Sequence, residues 1–81
     1  MTPSKFARAT VSLWRLMQRM DVLHNKACER AAERPVTREQ IKHMNTMARE
    51  YLKMGKRALR LTQKLATSGR PFPTLPPKAV A

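Results

Sequence analysis

His24 and Cys28 stand four residues apart, a spacing that on an α-helix brings an imidazole and a thiol to the same face. Together they offer two of the four ligands that a tetrahedral zinc site needs. Two ligands alone do not hold the ion, and a partly buried helix-packing pair is the simpler expectation, so no metal is assigned. The other histidine, His43, falls in a different segment, and neither histidine has an acid–base or nucleophile–base partner at useful spacing. Five Asp and Glu in the whole chain leave little for proton or metal chemistry. No catalytic residue and no cofactor are expected. Cys28 is the single cysteine, so an intrachain disulfide is excluded as a staple.

The chemistry the chain does carry is cationic. Seventeen Lys and Arg against five acids give a net charge of +12 over 81 residues. An excess of this size repels itself in a compact state unless anions neutralise it. The charges are also sorted. At about 100° per residue, Lys42, Arg49, Lys53, Lys56, Arg57, Arg60 and Lys64 gather on one sector of a helix. Arg8, Arg15, Arg19, Lys26 and Arg30 form a second row on another. Like-charge neighbours such as Lys53/Arg57, Lys56/Arg60 and Arg60/Lys64 each cost a few tenths of a kcal/mol, while Glu39 and Glu50 are the only acids near them. A face held at a standing cost points to a polyanionic partner, whose phosphates would be met with release of counterions. One tryptophan, one tyrosine and two phenylalanines leave little for base stacking, and no zinc-finger or RNP-type motif is present. Backbone and shape contacts to folded RNA are the expectation, ahead of base reading.

These rows need helices to position them. Apolar residues recur in steps of three and four through Phe6, Leu13, Met17, Met20, Ala27 and Ala31, and Pro35 disfavours helix at Arg34. Thr37 and Gln40 then have the spacing of a capping box. From there Ile41, Met44, Met47, Ala48, Tyr51, Leu52, Ala58, Leu59, Thr62, Leu65 and Ala66 describe one apolar face, ended by Gly69 and Arg70-Pro71. The fold class is therefore all-α: a lead over 1–4, a helix over 5–34, a turn at 35–37, a helix over 38–68 and an extended Pro-rich tail over 69–81. So short a turn makes the helices antiparallel neighbours, an αα-hairpin. Gly55 falls in the second helix's stripe and is expected to admit close packing against a bulky neighbour such as Trp14 or Phe6. Trp14 and Val11 lie round the edge of the first helix's stripe, a candidate exposed protein interface. Pro71, Pro73, Pro76 and Pro77 favour an extended tail, a strap across a neighbouring subunit with Phe72 and Leu75 as its apolar contacts.

No apolar run approaches the ~20 residues that cross a bilayer, so no transmembrane segment is expected. The amphipathic N-terminal stretch MTPSKFARATVSLWRLMQRM lacks acids and carries Arg, Ser and Thr, the pattern of a mitochondrial targeting segment. Leu13-Trp14-Arg15 within SLWRLMQRM resembles the opening of the LYR-motif family, with tryptophan where that family has tyrosine, and MGKRALRLTQKL is similar to the family's closing helix. That resemblance implies a three-helix accessory or assembly factor of respiratory complexes or mitoribosomes, several members of which bind acyl carrier protein; only two helices are expected here. The function that follows is a non-catalytic structural subunit of a large assembly, foremost a mitochondrial ribosome, contacting rRNA and neighbouring protein subunits. The alternative is an accessory subunit of a respiratory-chain or ATP-synthase complex, meeting acidic subunits or the anionic lipid cardiolipin. Either places it in the matrix or on the matrix face of the inner membrane.

Overall fold

Thr2 and Pro3 open the first helix two residues earlier than the apolar stripe suggests. The Thr2 side chain accepts a hydrogen bond from the Lys5 backbone N–H at 3.2 Å, and Pro3 occupies the first helical turn, where a missing N–H costs nothing. In the computed structural model, which describes residues 1–75, α1 spans Pro3–Ala32 and α2 spans Arg38–Ala66. The two pack side by side as an αα-hairpin within a slab of 52 × 24 × 15 Å. Residues 71–75 form neither helix nor strand. The part of the expected strap beyond Leu75 lies outside the described residues.

The turn is held by one side chain. Gln40 completes the capping box: its backbone N–H donates to the Thr37 hydroxyl at 3.1 Å, and its side-chain oxygen accepts from the Thr37 N–H at 3.3 Å. The amide nitrogen of the same side chain donates to the backbone carbonyls of Arg30 and Glu33. Gln40 is thus buried because it satisfies orphan groups at the end of α1 and the start of α2 at once. Arg34 adds to this by donating to the carbonyls of Ala31 at 2.8 Å and Glu33 at 3.0 Å.

The core between the helices is thin. Leu13, Leu16, Met47 and Leu65 are the fully buried apolar side chains among the described residues. Thr10 and Thr62 sit half-buried beside them without cost, because each hydroxyl donates to the carbonyl four residues back, Phe6 at 2.9 Å and Ala58 at 2.8 Å. Much of the face assigned to α2 does not reach α1. Ile41, Ala48, Leu52, Leu59 and Ala66 are exposed, Leu52 by 64%. A single neighbouring helix covers only the arc turned toward it, and this stripe is wider than that arc.

Two further expectations change. Neither Trp14 nor Phe6 closes on Gly55; a Cβ placed there would meet only the Met20 methyl, at an ordinary 3.8 Å. That is room for a methyl group, so glycine is not required there. Trp14 is half-buried while Val11 is exposed, so they do not form one bare edge. The Trp14 indole N–H is buried and has no hydrogen-bond partner among the described residues. Beyond α2, Gly69 adopts φ of 80°, and the Arg70 guanidinium lies 5.7 Å from the Phe6 ring centroid. That cation–π contact returns the chain to the N-terminal end of α1. Phe72 is exposed and Leu75 half-buried.

Candidate nucleic-acid interface

On α2, Met47 and Leu65 share one angular position and mark the line buried against α1. Lys53, Arg57, Arg60 and Lys64 project to one side of that line. The helix crossing turns part of α1's basic row toward the same side. Arg19 and Leu16 face Lys53, Met54 and Arg57 across one depression, while Ser12 faces Arg57, Arg60 and Lys64 across the next. Arg15 and Arg19 line a third depression, and Arg8 and Arg15 a fourth. Because they share residues, these depressions form one continuous basic flank fed by both helices. Leu16, Met54 and Leu61 form its apolar floor, and Glu50 is the acid that lines it.

Such a flank places guanidinium and ammonium groups along a shallow track, not around a closed pocket. Its cations are exposed, and contact with a polyanion would release the water and counterions around them. The apolar floor supports the aliphatic stems of the long side chains, which can stretch toward either helix.

The remaining predicted cations fall elsewhere. Lys42, Arg49 and Lys56 are exposed, turned away from α1 and lining none of the depressions on the basic flank. Arg30 is drawn to Glu33, with a 2.7 Å ion pair, and is half-buried at the end of α1. It serves the helix terminus, where a positive charge offsets the dipole, and not the basic flank. Lys26 is exposed and lines none of these depressions.

The His24 and Cys28 pair is exposed, with the thiol sulfur 3.9 Å from each ring nitrogen, and His24 also faces Tyr51 with ring centroids 6.4 Å apart. Among the described residues no three metal-ligating side chains converge. No helix among them is long and apolar enough to cross a membrane.

The pattern of the helices foretold two basic rows. It did not foretell that four of the seven α2 cations and three of the five on α1 would share one flank, since the rotation of one helix against the other is set by which apolar residues interlock. Comparison with protein-family models, curated proteins and solved structures finds no match. The likeness to LYR-motif proteins therefore rests on Leu13-Trp14-Arg15 and the α2 stretch alone, on a chain with two helices among its described residues.

Proposed function

We propose that this chain is a non-catalytic structural subunit of a large ribonucleoprotein, foremost a mitochondrial ribosome, and that its basic flank lies on rRNA phosphates. The observation that carries this is the convergence of Arg8, Arg15 and Arg19 from α1 with Lys53, Arg57, Arg60 and Lys64 from α2 on one shallow flank. Phosphates recur along a strand, so a linear series of cations suits them better than it suits a single small anion. A thin core also fits a subunit that gains order from its host.

The second reading is an accessory subunit of a respiratory-chain or ATP-synthase complex, with cardiolipin or an acidic subunit against the same cations. It draws on the exposed Ile41, Leu52 and Leu59, which lie beside other cations as an interfacial surface would require. Fractionation of a tagged full-length chain separates the two. The first reading expects co-sedimentation with ribosomal particles that is lost on RNase treatment. Recovery instead with detergent-solubilised membrane complexes would overturn it in favour of the second.

A further inference from the structure

The apolar flank of α2 opposite the basic one has an order of its own. Asn45, Leu52, Leu59 and Ala66 alternate with Ile41, Ala48, Gly55 and Thr62 in steps of three and four. This is the seam spacing of a coiled coil, with Leu52 set between the small residues Ala48 and Gly55 and Leu59 one step beyond. The outer line of the seam is bare, with Leu52 64%, Leu59 58% and Ile41 49% exposed, while Gly55 and Thr62 at its inner edge are half-buried. At its inner border lies a groove of about 410 Å³ between the helices, floored by Leu23 and Ala27 of α1 and by Met44, Met47 and Tyr51 of α2. At its outer border stand Lys42, Arg49 and Lys56, seven residues apart. In the coiled-coil register each directly follows Ile41, Ala48 or Gly55 and holds a flanking position, where charge selects the partner.

We infer that this seam receives an amphipathic helix of a partner protein, apolar on the buried side and acidic along the edge that meets Lys42, Arg49 and Lys56. The hydrophobic surface calls for burial, the small, exposed Ala48 admits a second helix at close range, and the half-buried Met44 adapts to its side chains. The cationic row decides the occupant. A second copy laid antiparallel on the seam would set Lys42, Arg49 and Lys56 against the same residues of its mate, and two chains of charge +12 would be joined. An acidic helix turns the same row into an attraction. The inference does not rest on the RNA reading, since it uses the opposite flank and those cations left off the basic one.

The test pairs the full-length protein with two synthetic helical peptides of about four heptads, each with the same leucine stripe. One has Glu along its flanks and the other Lys. Binding is read by fluorescence anisotropy, with circular dichroism confirming that each variant keeps its helices. The Glu peptide is expected to bind at least tenfold more tightly than the Lys peptide. Reversing Lys42, Arg49 and Lys56 to Glu should invert that preference, and Leu52→Glu with Leu59→Glu should abolish binding of both. Reversing Arg57 and Arg60 should leave the preference in place while weakening RNA binding. The inference is overturned if neither peptide binds, or if reversal of Arg57 and Arg60 matters as much as reversal of the outer row. It is also overturned if the leucine variants lose only cardiolipin-vesicle binding, or if sedimentation shows the seam filled by a second copy.

Discussion

Gln40 is the residue whose chemistry is hardest to replace. Glutamate would serve the capping box equally well, because that box asks only for an acceptor. Glutamine adds two amide hydrogens, and here they reach the carbonyls of Arg30 and Glu33. Gln40→Glu should therefore keep the cap yet lose the tie between helices, and Gln40→Ala should lose the tie and the side-chain half of the cap, its backbone N–H still donating to Thr37. We expect each to cost about 1–3 kcal/mol, read from chemical unfolding. A glutamate variant as stable as wild type would show that the tie contributes nothing. Gly55 predicts the reverse sign. Its neighbour leaves room for a methyl group, so Gly55→Ala should stabilise the isolated chain by about 1 kcal/mol. The capping role of Gln40 was legible in the Thr37–Gln40 spacing. Its reach into α1 was not, because that depends on where the turn sets the two helix ends.

Among the elements, the stretch of α2 from Met47 to Leu65 separates what periodicity reveals from what it conceals. A repeat of three and four residues marks every position that some partner buries, without saying whether that partner is α1 or another molecule. Leu13 and Leu65 face the hairpin, at 2% and 0% exposure, whereas Leu52 and Leu59 belong to the same sequence pattern and face outward. Leu13→Ala or Leu65→Ala should cost about 2–5 kcal/mol, enough to melt so small a fold. Leu52→Ala and Leu59→Ala should change the stability of the free chain by no more than about 0.5 kcal/mol. Thermal unfolding followed by circular dichroism distinguishes these cases, and equal losses at all four leucines would mean that α2 is rotated from the orientation described. The start of α1 was missed for a local reason: Thr2 and Pro3 carry no apolar periodicity, and their cap-and-proline signature had to be weighed by itself.

For the whole molecule, the two helices divide a narrow slab into a cationic flank and an apolar one. Neither is explained by what the hairpin needs for itself: the cations oppose its stability and the leucines stay in water. Both rows of charge could be drawn on helical wheels beforehand, but their meeting could not, since that requires the packing of Leu13 and Leu16 against α2. The most direct measurement is the affinity of the full-length chain for a structured RNA between 50 and 200 mM salt, beside the variant with Arg57→Glu and Arg60→Glu. If the flank engages phosphates with its full set of cations, the wild-type affinity should fall by about three orders of magnitude over that range, and the variant should start weaker and fall less steeply. An affinity indifferent to salt, or a variant that binds like wild type, would contradict the account.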